Sequence, residues 1–348
     1  MNFLRWFLLP FSLIYGTIVA IRNFLFKIGI LRSQKFSMPI ILVGNLSTGG
    51  TGKTPMVRKI TELLGESCAP VILSRGYKRK TSGLIFASES KETVEDLGDE
   101  PSMYHHSIPY SNVVVCEDRA FALKAIEKKY MNSCAVIMDD GYQHRSVDPG
   151  MKILLTSFDN LYFKDHLLPV GSLRESRSGV ARANIVVVTK CPELLHENAK
   201  VDIIRNLNLS DGQLLFFSRI KYGTLRNGFN DLNIPLHNLN EHTILLVTGI
   251  ADPKPLEKEL VSRAGKVKLM KFADHHQFSK SDVGRIELGF SSIESDKKII
   301  VTTEKDLQRL VGAGIKNVTD DFYFIPINVS IDDESGFAKT INNYVGNH

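Results

Sequence analysis

The distribution of apolar positions divides the chain into three parts. Residues 6–21 contain no charged residue and are bounded by Arg5 and Arg22. From residue 39 onward, short continuous apolar runs alternate with segments of helical period, and a second series of this kind follows the Asn-rich residues 236–240. Continuous apolar runs are typical of parallel strands that are covered on both faces. The pattern predicts an N-terminal helical segment (1–36) and two α/β domains (37–225 and 226–348, the second smaller).

The apolar runs also predict where a ligand binds. Runs of strand character are residues 40–43, 71–73, 113–115, 134–138, 153–155 and 185–188 in the first domain, and 243–247, 267–271, 299–301 and 322–325 in the second. Polar residues follow most of these runs directly. Ligands of parallel sheets bind beyond the carboxyl ends of the strands, so these polar segments predict a site at that edge.

The strongest motif lies between the first strand and a predicted helix over residues 56–64. It consists of Ser47, Thr48, Gly49, Gly50, Thr51, Gly52, Lys53 and Thr54. Strand, glycine-rich turn and Gly-Lys-Thr are the context of a phosphate-binding loop, although the strict pattern has glycine where this chain has Ser47. We expect backbone N–H groups to surround the phosphates of ATP, Lys53 to reach the β- and γ-phosphates, and Thr54 to ligate Mg²⁺. The alternative is a glycine-rich turn that only joins strand to helix.

Two acidic pairs are candidates for the remaining chemistry. Asp139 and Asp140 follow the 134–138 run, the position of a carboxylate that holds magnesium in phosphate-loop enzymes, although a turn or a helix cap would also use aspartates. Asp99 and Glu100 precede Pro101 at the start of a predicted helix, so capping alone explains them. A kinase with an alcohol acceptor nevertheless needs a base, and a carboxylate can serve.

Two further polar segments have a weaker signal. Arg174 and Glu175 follow Gly171-Ser172-Leu173, and a plain ion pair at a helix start explains them. Asp274-His275-His276 follows the 267–271 run without a third metal ligand nearby. We expect one imidazole to face the cleft between the domains and the other to be structural.

The N-terminal part of the chain is basic and apolar. The net charge is +5, and no acidic residue precedes Glu62, whereas Arg22, Lys27, Arg32 and Lys35 precede the phosphate loop. This excess suggests an anionic lipid surface, and no nucleic-acid-binding module is apparent. A signal peptide is not expected, because no small-residue cleavage site follows residues 6–21 and the next segment leads directly into the nucleotide fold. A buried core helix and a membrane-inserted or interfacial helix remain. We favour the membrane helix, with Phe3, Trp6 and Phe7 at the interface.

The cysteines suggest no metal or redox motif. Cys68, Cys116, Cys134 and Cys191 contain no C-x-x-C pair, so the expectation is buried thiols in a reducing compartment.

Taken together, the motifs resemble the tetraacyldisaccharide 4′-kinase family of lipid A biosynthesis. The matching segments are residues 49–55, 74–77, 98–101, 117–119, 139–144, 171–175, 274–275 and 303–306, in the family's order over nearly the whole chain. The family also lacks glycine at the position of Ser47. The resemblance implies transfer of the ATP γ-phosphate to the 4′-hydroxyl of tetraacyldisaccharide 1-phosphate, which yields lipid IV-A. We expect a monomer, with no nucleic-acid partner, on the cytoplasmic face of the inner membrane of a Gram-negative bacterium.

The resemblance also assigns site residues. Asp99 becomes the catalytic base, and His275 pairs with it. Asp139 and Asp140 lie at the magnesium and phosphate end, with Glu175 as a further metal contact. Substrate or transition-state contacts are implied for Arg75, Tyr77, Glu100, Arg119, Gln143 and Arg174.

Two rival functions follow from the same loop. A membrane-bound ATPase of the positioning or targeting class has a signature lysine where this chain has Thr48, which argues against that class. A nucleotide-binding switch without an acceptor would need neither Asp99 nor His275.

Overall fold

The computed structural model describes residues 7–90, 93–131 and 133–348. In these ranges the helices are α1 (Leu9–Lys27), α2 (Lys53–Leu64), α3 (Val94–Leu97), α4 (Asp99–Ser107), α5 (Arg119–Lys129), α6 (Glu197–Leu207), α7 (Lys254–Val261), α8 (Lys280–Ser291), α9 (Glu304–Gly312) and α10 (Glu334–Gly346). The strands are β1 (Ile40–Asn45), β2 (Val71–Ser74), β3 (Ile85–Phe86), β4 (Asn112–Val115), β5 (Val136–Asp139), β6 (Met151–Ser157), β7 (Ile185–Thr189), β8 (Leu214–Tyr222), β9 (Leu225–Asn227), β10 (Asn233–Ile234), β11 (Thr243–Thr248), β12 (Lys266–Lys271), β13 (Lys298–Thr303), β14 (Phe322–Ile325) and β15 (Ile327–Ile331). The predicted α/β class is confirmed.

The larger sheet places the phosphate loop at its centre. Its strand order is β15-β8-β7-β6-β1-β5-β2-β4-β3, and β1 lies between β5 and β6. All strands from β8 to β4 run parallel, whereas the edge strands β15 and β3 are antiparallel. The carboxyl ends of β1, β5 and β2 are therefore adjacent, and the predicted site segments emerge side by side.

Helices cover both faces of this sheet. Ile40 and Leu42 of β1 belong to a buried cluster that includes residues of α5 and α6. Ile41 and Val43 belong to a second cluster with residues of α2, α4 and α10. Because successive side chains of a strand point to opposite faces, a strand buried on both faces needs an unbroken apolar run.

The smaller sheet contains the second βα series. Its order is β10-β9-β14-β13-β11-β12, with β14, β13, β11 and β12 parallel. A capping box lies at the start of α8, where Ser279 and Asp282 exchange hydrogen bonds.

The chain returns to the larger sheet at its C-terminal end. Strand β15 pairs antiparallel with β8, from Ile327 opposite Tyr222 to Ile331 opposite Ser218. Helix α10 packs on the same sheet, where the Tyr344 hydroxyl donates to the Ile40 carbonyl at 3.1 Å. Residues 327–346 therefore pack with the larger sheet, although the predicted second domain, 226–348, includes them. Edge strand β15 is only partly buried, so it has no continuous apolar run to signal it.

Helix α1 lies against the site rather than inside a core. It begins with Pro10 in its first turn, where proline needs no amide partner, and extends beyond residue 21 to Lys27. The exposed fractions of Phe11, Ile14 and Ile18 are 62%, 59% and 61%, so the core-helix alternative is wrong. Within the described ranges, this helix is long and apolar enough to cross a membrane. Phe3, Arg5 and Trp6 lie outside the described residues.

Two of the cysteines differ from expectation. Cys68 and Cys134 are joined in a disulfide with Cα atoms 5.1 Å apart, so the prediction of free thiols is wrong for this pair. They lie together because Cys68 precedes β2 and Cys134 precedes its neighbour β5. Cys116 and Cys191 are free thiols.

Candidate active site

The phosphate loop has the backbone that its glycines predict. Gly49 and Gly52 have φ values of 103° and 82°, which side chains with a Cβ rarely adopt. Gly52 caps α2 without a side-chain hydrogen bond, so amide groups of the first helical turn remain directed toward the loop. Asn45 braces the loop from the end of β1: its Nδ2 donates to Thr51 Oγ1 at 2.8 Å, and its Oδ1 accepts from Lys53 Nζ at 3.4 Å.

Residues 171–175 form one wall of this loop. The Thr48 amide donates to the Ser172 carbonyl, and the Arg174 amide donates to the Leu46 carbonyl, both at 2.7 Å. Ser47 is buried and pairs with Leu173 in a single antiparallel bridge. The segment to which composition alone gave no function therefore fixes the N-terminal half of the phosphate loop.

Arg174 brings a second cation to the loop beside Lys53. Its guanidinium contacts both carboxylate oxygens of Asp140 at 3.3 Å, and Lys53 Nζ lies 3.5 Å from Asp140 Oδ1. Arg174 also donates to Asn45 Oδ1 at 3.1 Å and to Gln143 Oε1 at 3.3 Å. Two cations thus converge beside the loop where an anionic ligand would approach, with Asp140 as their partner.

Glu100 and Asp139 lie at the start of α2 and have different environments. Glu100 Oε1 accepts from the Thr54 hydroxyl at 2.9 Å and from Lys305 Nζ at 2.5 Å. Burial acts to raise the pKa of Glu100, but Lys305, Lys53 and the Thr54 hydroxyl outweigh it and hold this pKa at about 2.

Asp139 is less well compensated. Its Oδ2 accepts from the Tyr104 hydroxyl at 3.2 Å, whereas its Oδ1 is buried without a hydrogen-bond partner. Burial, and then the charges of Glu100 and Asp140, raise the pKa of Asp139 to about 7. A buried carboxylate oxygen without a donor is a position that a cation would satisfy.

Asp99 meets two residues of the smaller sheet's domain. His275 Nδ1 donates to Asp99 Oδ2 at 2.9 Å, and Arg309 Nη2 donates to the same oxygen at 2.6 Å. Asp99 is the first residue of α4, behind an N-cap glycine, so the capping alternative does not describe its side chain. His275 has a left-handed φ of 56°, an uncommon conformation for a residue with a side chain.

Helix α9 carries a row of charged residues across the boundary between the sheets. Arg58 of α2 forms a bidentate pair with Glu304, at 2.7 and 2.8 Å. Lys305 pairs with Glu100 and Arg309 with Asp99. Asp306 stabilises the start of α9, because it accepts a hydrogen bond from the Thr303 hydroxyl at 2.8 Å and pairs with Arg309 at 3.1 Å. The smaller domain thus supplies two cations and one imidazole to the site.

Comparison with known proteins agrees with this geometry. A family described as tetraacyldisaccharide-1-P 4′-kinase matches residues 4–346. The tetraacyldisaccharide 4′-kinase of Flavobacterium johnsoniae is 41% identical over 346 residues, which cover 99% of this chain and 98% of that protein. That of Bacteroides thetaiotaomicron is 39% identical over 355 residues, covering 98% and 93%. The chain belongs to the tetraacyldisaccharide 4′-kinase family.

A solved structure shows that the family fold is conserved here. The crystal structure of LpxK from Aquifex aeolicus in complex with ATP superposes with a TM-score of 0.76 at 31% identity, and the alignment covers 98% of this chain and 99% of that one. The family resemblance seen in the sequence is thereby confirmed, and the solved member is described as a complex with ATP.

Two residues carried over from the family have other partners in the structure. Glu175 is buried, and both its oxygens face Arg182, at 2.8 and 2.9 Å. Gln143 donates to it as well, at 3.1 Å. Arg182 therefore neutralises the charge of Glu175, and the metal contact of Glu175 stays a prediction. Arg119 is buried and donates to the backbone carbonyls of Cys116 and Asp139. Its guanidinium therefore already has partners within the protein.

The other predicted residues lie at the rim of the site. Gln143 bridges Asn45, Arg174 and Glu175. Arg75 and Tyr77 are exposed, and the Tyr77 ring meets His275 edge-on with centroids 6.1 Å apart. His276 donates instead to Asp282 at 3.1 Å, which confirms the predicted division between a cleft histidine and a structural one.

Sequence reasoning assigned no role to Lys305, Arg309 or Arg182. A usable signal existed for the first two, because residues four apart lie on one face of a helix and Lys305 and Arg309 follow a polar strand end. No comparable signal marks Arg182, whose partner is fixed by the loop that begins after Glu175.

Proposed function

We propose that this protein is a kinase that transfers the ATP γ-phosphate to the 4′-hydroxyl of tetraacyldisaccharide 1-phosphate, forming lipid IV-A in lipid A biosynthesis. The observation that carries the proposal is the contact of Asp99 with His275 beside a phosphate loop, in a chain of this family. Neither an acceptor-independent ATPase nor a nucleotide switch requires such a pair.

The proposed chemistry uses Asp99 as the base. The acceptor hydroxyl gives its proton to the Asp99 carboxylate as its oxygen attacks the γ-phosphorus, and the bond to the β-phosphate oxygen breaks. His275 donates to Oδ2 and so orients the carboxylate. When ATP binds, before transfer, Lys53 and Arg174 would exchange their contact with Asp140 for the phosphates, since both already lie at the loop.

Magnesium fits two of the predicted ligands. Thr54 and Asp139 would hold it, because Thr54 lies in the first turn of α2 and Asp139 Oδ1 is buried without a hydrogen-bond donor. When bound, Mg²⁺ would neutralise charge on the β- and γ-phosphates. No group of three or more His, Cys, Asp or Glu side chains that could hold a metal ion is assembled in the described residues, so phosphate and water oxygens would have to supply the remaining ligands. Asp140 has Lys53 and Arg174 as partners and is the weaker candidate.

A bilayer surface is the proposed place of action. Helix α1 docks on the site through hydrogen bonds from Ser12 Oγ to the Leu167 carbonyl at 3.0 Å and from the Tyr15 hydroxyl to the Arg174 carbonyl at 2.7 Å. Its apolar side chains remain exposed. An acceptor with four acyl chains stays in a membrane, so a basic, apolar helix beside the site would bring the enzyme to it. We propose a monomer on the cytoplasmic face of the inner membrane.

The direct test is transfer of labelled γ-phosphate from ATP to purified tetraacyldisaccharide 1-phosphate in mixed micelles. We expect label in the lipid, dependent on acceptor, and none with Lys53→Ala, which lacks the ammonium at the phosphates. ATP hydrolysis at the full rate without acceptor, with no labelled lipid, would instead support the ATPase alternative.

A further inference from the structure

Lys305 reaches the end of the phosphate loop from the other domain. Its Nζ lies 2.5 Å from Glu100 Oε1, and that same oxygen accepts from the Thr54 hydroxyl at 2.9 Å. The Lys305 ammonium of the smaller domain and the Thr54 hydroxyl of α2 thus share one acceptor atom. The phosphate end of the site therefore contains a cation that the mechanism above does not use.

We propose that Lys305 binds the transferred phosphoryl group and stabilises its charge in the transition state. The inference rests on the proposed kinase function. In phosphoryl transfer the developing charge is spread over the equatorial oxygens, and catalysis comes mainly from positioned positive charge. Lys53 and Arg174 approach from the larger sheet, whereas Lys305 approaches from the opposite side of the boundary.

The anchoring of α9 suits this role. Glu304 is fixed by Arg58 on one side of Lys305, and Arg309 is fixed by Asp99 one turn later. The stem of Lys305 therefore starts from a defined position, while its flexible side chain can exchange Glu100 for another anion. The helix that joins the two domains through Glu304 and Arg309 therefore also carries this ammonium.

The simpler alternative is that Lys305 only neutralises Glu100. A double-mutant cycle separates the two roles. If the ion pair is the whole function, Lys305 is dispensable once Glu100 is uncharged. If Lys305 contacts the phosphoryl group, its loss remains costly in a chain that carries Glu100→Gln.

The experiment compares single-turnover transfer and steady-state constants for wild type, Lys305→Met, Glu100→Gln and the double variant. We expect Lys305→Met to lower kcat by about 10²–10³-fold, the cost of one removed charge-stabilising donor, with little change in KM for ATP. The double variant should stay slower than Glu100→Gln by a similar factor. Lys200→Met is the matched control and should retain wild-type kcat, since Lys200 pairs with Asp332 at 3.5 Å, away from the cleft, with exposures of 32% and 33% against 27% and 28% for Lys305 and Glu100.

Other results would overturn the inference. Equal rates for the double variant and Glu100→Gln would reduce Lys305 to an ion-pair partner. If Lys305→Met alone does not fold, the comparison of the double variant with Glu100→Gln still distinguishes the two roles of Lys305, because the double variant leaves no unpaired carboxylate. A wild-type protein that transfers no phosphate to the lipid would instead refute the proposed function itself, so the two failures are distinguishable.

Discussion

Nη2 of Arg309 lies 2.6 Å from Oδ2 of Asp99, and both side chains are buried. The pair joins α9 of the smaller sheet to the first residue of α4. Because His275 donates to the same oxygen, two residues of one domain hold the carboxylate that we propose as the base in the other. The site is therefore complete only while the two domains are in contact.

Arg309→Met tests how much this contact stabilises the fold. The substitution leaves Asp99 and Asp306 without a guanidinium in a buried place, so we expect the free energy of unfolding to fall by about 3–5 kcal/mol. Urea unfolding of the full chain measures it. Arg285→Met is the control, because the exposed Arg285 lies 3.6 Å from Asp282 and should lose less than about 1 kcal/mol. Equal losses in the two variants would mean that the Arg309 pair is not a buried bridge.

Asp139→Asn and Glu175→Gln should affect the magnesium requirement differently. Asp139→Asn replaces the buried carboxylate with a neutral amide, a weaker ligand for the cation, so half-maximal transfer should need more Mg²⁺. Glu175→Gln loses its bidentate pair with Arg182 and should lower the unfolding midpoint without changing the Mg²⁺ dependence. Titration of transfer activity with MgCl₂ measures both. A raised Mg²⁺ requirement in Glu175→Gln alone would instead support Glu175, rather than Asp139, as the metal contact.

The exposed face of α1 should mediate membrane binding. Phe11→Glu, Ile14→Glu and Ile18→Glu combined should release the protein from vesicles that contain anionic lipid, since burial of each such side chain contributes about 1.5–3 kcal/mol. A chain that lacks residues 1–35 should be released as well. Tyr15→Phe breaks only the contact with Arg174 and should still sediment with vesicles. Sedimentation of the triple variant at the wild-type level would exclude this face as the anchor.

His144 should make stability depend on pH. Burial, then Arg119 and Arg75, lower its pKa to about 4, with Arg22 acting in the same direction and Asp140 against it. In the unfolded chain the pKa of histidine is about 6.5. Between pH 4 and 6.5 the unfolded chain therefore binds a proton that the native chain does not. Stability is therefore full above pH 6.5 and falls as the pH approaches 4. His144→Gln should flatten this decline in thermal unfolding, whereas the exposed His237→Gln should not; identical curves for His144→Gln and wild type would contradict the assignment.

The parts of the site that could be predicted from sequence are local ones. The phosphate loop was recognisable because an apolar run, a glycine-rich turn and Lys53 follow one another in the chain. Asp139 was recognisable because it ends a buried strand, and the sheet places β5 beside β1.

Contacts between distant residues could not be derived in this way. Asp99 and His275 are separated by 176 positions, and only the family resemblance paired them. Glu175 was placed near the metal only by the family resemblance, and its ion pair with Arg182 could not be predicted because it depends on how the following loop folds. Edge strand β15 was missed because a half-exposed strand lacks the continuous apolar run of its buried neighbours.

The most direct test of the account is single-turnover phosphoryl transfer by Asp99→Asn. The substitution keeps the shape of the side chain and removes its ability to accept the proton, so transfer should fall by about 10²–10⁴-fold while nucleotide binding is retained. The measurement follows labelled γ-phosphate into tetraacyldisaccharide 1-phosphate with excess enzyme, alongside equilibrium binding of ATP. Transfer by Asp99→Asn at close to the wild-type rate would contradict the claim that a base in one domain, held by His275 of the other, carries the reaction.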